Sequence, residues 1–289
     1  MEKPIKIYQI DAFTDRPFEG NSAGVMFAEN LSSEKMQKIA REMNLSETAF
    51  ISSSANADYK LQWFTPTIEI SLCGHATIAS LHFLKENGIL NENSVIKFET
   101  KSGILNCGIK DGLYFMQIPV DQMKEFPGDK DEIIKAIGIE SKSVVHETPF
   151  IIMENGNLYF RVDSLNTLKG IKPNFTALKK LTEEKHEFEG VVVYSLETID
   201  KGSFAISRYF VPFYGIDEDP VTGSTNGPML LVFRHLGFVP DNLEDTTLTF
   251  EQGDFMGRKG RVKVTYNKKR NELFIHGKAV TVLKGELTF

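Results

Sequence analysis

Cysteine is almost missing from this chain. Cys73 and Cys107 are its two thiols in 289 residues, too few for the disulfide framework of a small secreted domain. Long apolar runs are missing too: no stretch of roughly 18 apolar residues could cross a bilayer. The chain opens on "MEKPIKIYQIDAF", charged and then strand-like, rather than on a secretory leader. A cytoplasmic location with no membrane partner is therefore expected. Positive charge is in deficit. The formal net charge is −6, and no basic cluster with interleaved aromatics offsets it, so a nucleic-acid partner is not expected. Familiar catalytic signatures are also lacking. The six histidines are scattered with no H-E-x-x-H, no G-x-G-x-x-G follows a strand, and no G-x-S-x-G occurs. "GDFMGRKG", from Gly253, lacks the GK[ST] ending of a phosphate loop. On these patterns neither a metal nor a cofactor is expected.

What is present describes a globular protein. Hydrophobic residues make up 41% and charged residues 25%, ordinary values for a folded domain. The length suits two domains. "IKIYQIDAF" alternates and is β-branched, which predicts a strand. A turn and a second strand follow in "EGNSAGVMFA". In "SSEKMQKIAREMN", Met36, Ile39, Ala40 and Met43 recur at helical spacing behind Ser32 or Ser33 as cap. "ETAFISS" and "DYKLQWFTPT" read as strands, and "HATIASLHFLKENG" as a helix stopped by Gly88. Short strands with glycine turns fill residues 94–119. In the second half "VVVYS" and "SFAISRYFVP" read as strands, "GPMLLVFRHLG" as a helix, and residues 260–289 as a closing meander. "DQMKEFPGDKD" is the best crossing between halves. Single helices among many strands predict an α+β fold.

Two segments repeat one order of elements. Trp63-Phe64-Thr65-Pro66 is followed eight residues after the proline by Gly74, and Tyr209-Phe210-Val211-Pro212 is followed eleven residues after by Gly223. Each is a strand ending in aromatic-Phe-x-Pro, a polar loop, a glycine and an apolar helix. Cys73 then matches Thr222, Gly74 matches Gly223, and His75 matches Ser224. Helix N-termini carry unpaired N–H groups and partial positive charge, and glycine lets a ligand approach the backbone. Facing each other across a cleft, two such termini would suit a small anion, most simply a carboxylate. Gly, Ser and Thr are equally ordinary N-caps, so a plain capping role stays open here.

Among the acidic groups, Glu47 of "NLSETAF" enters an apolar strand beside Phe50 and Ile51. Desolvation there raises a carboxylate's pKa and equips it to accept and donate a proton near neutrality; a solvated helix-end residue is the plainer alternative. "GIDEDPVTGST" places Asp219 just before the second helix, able to cap the turn or orient a donor. A Ser224–His75–Asp219 hydrolase is conceivable but lacks the nucleophile elbow. Asn44 and Asn174 lie in glycosylation sequons that have no meaning without secretion.

Taken together, "DAFTDRPFEGNSAGV", "NLSETAF", "FTPTIEISLCGHATIA", "RYFVPFYGIDEDPVTGSTNGP" and "EQGDFMGR" resemble the PhzF-like (phenazine biosynthesis-like) family, relatives of diaminopimelate epimerase, in the family's order and over nearly the whole chain. The resemblance implies two pseudo-symmetric α+β lobes of the diaminopimelate epimerase-like fold, each a curled mixed sheet around a central helix, with the active site between them. The first lobe would be 1–118 plus 278–289 and the second 119–277, since the family's last strand crosses back. It also implies a cofactor-independent isomerase acting on a small carboxylic acid, and a homodimer. The family's acid/base glutamate falls on Glu47, its histidine on His75 and its aspartate on Asp219. Cys73, Gly74 and Ala76 on one lobe, and Thr222, Gly223, Ser224 and Thr225 on the other, fall around the bound acid. The epimerase relatives use one thiol per lobe. Here Cys73 matches one, but Thr222 stands at the other position, and Gly190 is the loose counterpart of Glu47. One-sided proton handling by a single carboxylate is therefore the expected chemistry. A non-catalytic small-acid-binding protein on the same fold is the alternative.

Overall fold

A computed structural model describes residues 4–240 and 242–288. The charged opening residues 1–3 and the extreme limits of the expected lobes, at 1 and 289, lie outside the described residues. The chain divides into two compact units, one of Met1–Ile118, Gly260–Val262 and Phe274–Phe289, the other of Pro119–Lys259 and Lys263–Leu273. The first thus takes in 260–262 and 274–277 beyond the segments expected from sequence. The crossing falls at 118/119, just ahead of "DQMKEFPGDKD", which forms the strand Met123–Glu125 and the Asp129 cap of a helix.

In the first unit the strand Ile5–Ala12 is flanked by two antiparallel neighbours, Asn21–Phe27 and Ala279–Leu287. The helix α1, Ser33–Met43, carries the chain across to Glu47–Ser52, parallel to Asn21–Phe27. Ser32 caps α1 by accepting from the Lys35 N–H, and Asn44 ends it at φ 50°. Asparagine tolerates that left-handed turn better than most residues, which gives the Asn44 sequon a structural role. Met36, Ile39 and Ala40 face a cluster with Ile7, Met26, Phe50 and Phe64, as the 3.6-residue period requires. Tyr59–Phe64 pairs antiparallel with Glu47–Ser52, and Val95–Thr100 returns parallel beside it after the helix α2, Gly74–Glu86. The meander Val95–Thr100, Gly103–Lys110, Leu113–Ile118 completes the sheet. Nearly every residue of α2 from Gly74 to Leu84 is buried. A helix apolar all round belongs at the centre, and the sheet curls about α2. Gly88 adopts φ 73° just past it, the left-handed stop expected.

The second unit repeats the plan. Asn157–Arg161 and Gly190–Ser195 run parallel, Ala205–Val211 pairs antiparallel with the latter, and Asp245–Gln252 lies parallel to Ala205–Val211. No helix is expected from sequence in 119–222, yet α3 (Lys130–Ile137), α4 (Leu165–Gly170) and α5 (Phe175–Lys185) lie there. The first two are short, with too few turns for a clear apolar period, and α5, as long as α1, buries only Leu178 and Thr182, so its apolar stripe is thin. Ile133, Ile134, Leu168 and Leu178 pack them against Val191, Val193 and Phe210. Asn174, of the second sequon, caps α5 by accepting from the Ala177 N–H. The central helix α6, Gly223–His235, is buried along most of its length. It begins four residues before the expected 227–237, and Pro228 sits inside it, where it withholds one N–H from the helix. No helix among the described residues is long and apolar enough to cross a membrane.

Phe83 of α2 is 1% exposed and meets Tyr8 and Phe27 edge-on at centroid distances of 4.9 and 5.0 Å. Phe83→Ala is expected to lower stability by about 3–5 kcal/mol, read from urea unfolding. A loss below about 1 kcal/mol would contradict the central placement of α2.

Candidate active site

The first unit brings three of the expected residues together with one that was not singled out. Glu47 is the first residue of its strand, in register with Ala23, and is 7% exposed. His75 is the second residue of α2, 5% exposed, directly after Gly74. Its Nε2 lies 3.0 Å from Glu47 Oε2. Oε2 is buried, and the imidazole is the polar group it faces. On the ring's other side, Nδ1 is 3.2 Å from the Asn21 amide nitrogen and 3.6 Å from Cys73 Sγ. Asn21 stands in the quoted "GNSAG" motif as the first residue of a strand, and it is fully buried. A buried asparagine at a strand start was the available signal. Its partner 54 residues away was not legible.

The electrostatics of this group follow from burial and proximity. Burial opposes charge on the His75 ring, but Cys73 and the Glu47 carboxylate act the other way, and the net direction is well above the ordinary value of 6.5. Burial, reinforced by the Glu47 carboxylate, pushes the Cys73 thiol up to about 11. The sulfur is therefore uncharged near neutrality, so of the two neighbours that favour a proton on the ring only the Glu47 carboxylate carries charge there. A neutral ring can accept from Asn21 at Nδ1. A protonated ring donates from both nitrogens and needs the Asn21 amide turned so that its oxygen accepts. Both ring nitrogens face Glu47, Asn21 and Cys73, which is not the arrangement of a serine-activating base.

The N-cap of α2, Cys73, makes no oxygen-type side-chain capping bond; the Ala76 N–H faces its sulfur, and the other first-turn N–H groups have no acceptor within the helix. Gly74 adds no side chain there. Ala76 is buried, and its carbonyl accepts from the Ser80 hydroxyl at 2.7 Å.

In the second unit the mouth of α6 is built differently. Its N-cap, Thr222, also makes no capping bond; its hydroxyl instead donates to the Asp219 carboxylate. Asp219 ends the strand Ile216–Asp219 and is buried. Gln252, which sequence reasoning missed, ties the turn together. Its Nε2 donates to the Asp219 carbonyl at 2.8 Å and its Oε1 accepts from the Thr222 N–H at 3.0 Å and from Asn226 Nδ2 at 2.6 Å. Thr225 donates its hydroxyl to the Thr222 carbonyl at 3.1 Å and is fully buried, so it braces the turn. Gly223 opens the helix and Ser224 follows, half-buried. Gly190 starts its strand as Glu47 does. A Cβ there would come within 2.6 Å of the Tyr209 ring, so a side chain at that position would displace a buried aromatic.

Because the folded state holds a proton on His75 more tightly than the unfolded chain does, that contribution to stability is complete below 6.5. It is lost as pH rises through the folded-state value. His75→Gln is therefore expected to cost most stability below 6.5 and progressively less as pH rises above it, read as paired urea-unfolding curves. A difference that stays flat or grows with pH would show that the ring is not held protonated.

A family model described as phenazine biosynthesis-like protein matches residues 10–285. A Clostridium acetobutylicum protein named as an uncharacterized isomerase is 36% identical over 99% of each chain, and a Bacillus subtilis protein named likewise is 33% identical over 92% of each. The crystal structure of a Bacillus anthracis phenazine biosynthesis protein of the PhzF family superposes with a TM-score of 0.91 at 32% identity, over the whole of both chains. A hydroxyproline epimerase from Agrobacterium vitis, solved with bound trans-4-hydroxy-L-proline, shares the fold at 11% identity, with a TM-score of 0.63 over 99% of this chain and 93% of its own. The α+β architecture of two similar units, the ordered motifs around Glu47, His75 and Asp219, and these matches agree: the chain belongs to the phenazine biosynthesis-like (PhzF) family.

Proposed function

We propose that this protein is an isomerase that moves a proton on a small carboxylic acid, with Glu47 as the group that removes and returns it. The observation that carries the reading is the buried Glu47–His75 pair, in which one carboxylate oxygen lies 3.0 Å from an imidazole nitrogen, away from water. Such an oxygen is a base kept dry and oriented, held by a strand on one side and a helix on the other. The names of the sequence relatives, which are isomerases, support the same class.

In this mechanism the substrate carboxylate rests on the open first-turn amides of α2. Glu47 Oε2 takes a proton from the carbon next to the conjugated system and delivers it to another carbon. The His75 proton stabilises the carboxylate before transfer, and Asn21 sets the ring's orientation. Backbone N–H groups stabilise the dienolate-like charge that develops, commonly the largest catalytic contribution. The mouth of α6, with Gly223 and Ser224, offers donors of the same kind, and Asp219 with Thr222 forms a polar pair suited to a substrate hydroxyl or amine. A two-thiol racemisation has little support, because the Cys73 thiol is a poor base at neutral pH and Thr222 stands at the other position. No observation favours a purely ligand-binding protein.

The test is solvent exchange. Small unsaturated and α-substituted carboxylic acids incubated in deuterated water should take up deuterium with the wild-type protein. Glu47→Gln should slow uptake by about 10²–10⁴-fold while acids still shift the melting temperature. Cys73→Ala separates the routes: a loss smaller than about tenfold fits single-carboxylate transfer, and a loss as deep as that of Glu47→Gln sinks it.

A further inference from the structure

Four residues form one row across the second sheet. Tyr159, Val192, Tyr209 and Asp219 stand opposite one another from strand to strand, so their side chains share a face. Both ends of the row bond the first turn of α6. The Tyr159 hydroxyl donates to the Thr225 carbonyl at 3.0 Å, and the Asp219 carboxylate accepts from the Thr222 hydroxyl. Tyr209 stands between them, and its hydroxyl takes no part in bracing the turn. We propose that Tyr209 is a specificity-determining residue, whose hydroxyl donates a hydrogen bond to a hydroxyl or keto oxygen carried by the small acid.

The repeat shows what this hydroxyl replaces. Tyr209 lies opposite Val192, two residues along from Gly190, just as Trp63 lies opposite Ala49, two residues along from Glu47. The two aromatics hold one register, and only the second has a hydroxyl at its tip. A Cβ on Gly190 would lie 2.6 Å from the Tyr209 hydroxyl oxygen. That oxygen therefore fills the space in which the second unit's counterpart of the Glu47 side chain would begin. Tyr209 is 7% exposed. Among the described residues no group bonds its hydroxyl, yet that oxygen is not one of the polar atoms sealed from solvent, so a ligand can reach it. The neighbouring phenol of Tyr214 is already occupied, donating to the Glu189 carboxylate. Burial, reinforced by Tyr159, Asp219, Tyr214 and Glu189, holds the Tyr209 phenol well above its ordinary value of 10. It keeps its proton at neutral pH and serves as a donor, not as a second base. A largely buried donor without an acceptor is costly, so an acid that brings an oxygen to it is preferred over the analogue that brings none.

That the ligand is a small acid rests on the proposed function; the preference for an oxygen substituent rests on Tyr209. Binding and exchange read the two separately. The full-length protein is titrated in a calorimeter with matched acids: vinylglycolate against vinylacetate, and α-ketobutyrate against butyrate. The wild type should bind the oxygen-bearing member of a pair more tightly. Tyr209→Phe keeps the ring over Gly190 and removes the donor. It should weaken that member about 3–10-fold and leave the other unchanged, whereas a merely structural role would weaken both alike. Gly190→Ala, whose methyl displaces the hydroxyl, should reproduce the selective loss. Equal losses for both members, a wild type without preference, or a wild type that binds neither oxygen-bearing acid would overturn the proposal. Deuterium exchange then reports on Glu47 alone. A selective loss in Tyr209→Phe, in a protein that exchanges no deuterium, supports the role of Tyr209 and sinks the proton-shift reading. If one variant does not fold, the other decides, and the wild-type preference is required in either case.

Discussion

The candidate site of the first unit is built on an ion pair placed where charge is expensive. Glu47 and His75 sit almost out of water, between the end of one strand and the start of a helix that is itself surrounded by sheet. An isolated ionised group in such a place carries a desolvation penalty of several kcal/mol. The pair persists because each member supplies the counter-charge for the other and because Asn21 fixes the ring from behind. Removing one partner of a buried pair typically costs about 3–5 kcal/mol.

Duplication explains why the frame exists and asymmetry explains what it does. Both units use a strand–crossover–strand pair followed by an antiparallel strand, a second hairpin partner and a buried central helix whose cap residue does not cap. Cys73 and Thr222 share extended backbone geometry at these two caps. Their neighbours have diverged. In the first unit the strand opens on a carboxylate, and in the second on Gly190, where the Tyr209 ring fills the space a side chain would need. The second mouth is instead knitted by Gln252, Asn226 and Asp219. One copy therefore presents a buried carboxylate beside an imidazole and the other a polar turn tied by side-chain hydrogen bonds.

Much of the frame was legible along the chain because its cues are local. Ser32 and Asn44 bracket α1, Gly88 stops α2, and alternating β-branched runs mark the strands on either side of Glu47. The repeated aromatic-Phe-x-Pro, loop, glycine, helix order exposed both helix mouths. Two of the helices between residues 130 and 185 escaped because they are short, and the third, α5, because it buries only Leu178 and Thr182. The start of α6 was displaced toward Pro228, since a proline after a glycine imitates a helix beginning.

The sequence by itself determined the α+β class, the paired helix mouths and the identity of the family, since caps, turn glycines and apolar periods act over a few residues and motifs keep their order along the chain. It also supplied Glu47, His75 and Asp219 as candidates. Only the tertiary structure decided that Asn21, Glu47, Cys73 and His75 share one dry pocket of side chains, that Gln252 rather than Asp219 alone secures the second turn, and that Thr225 is structural. The Glu47–His75, Asn21–His75 and Gln252–Asn226 contacts join residues 26 to 54 positions apart, and their distances, burial and proton balance arise only when strands pair in register around a buried helix.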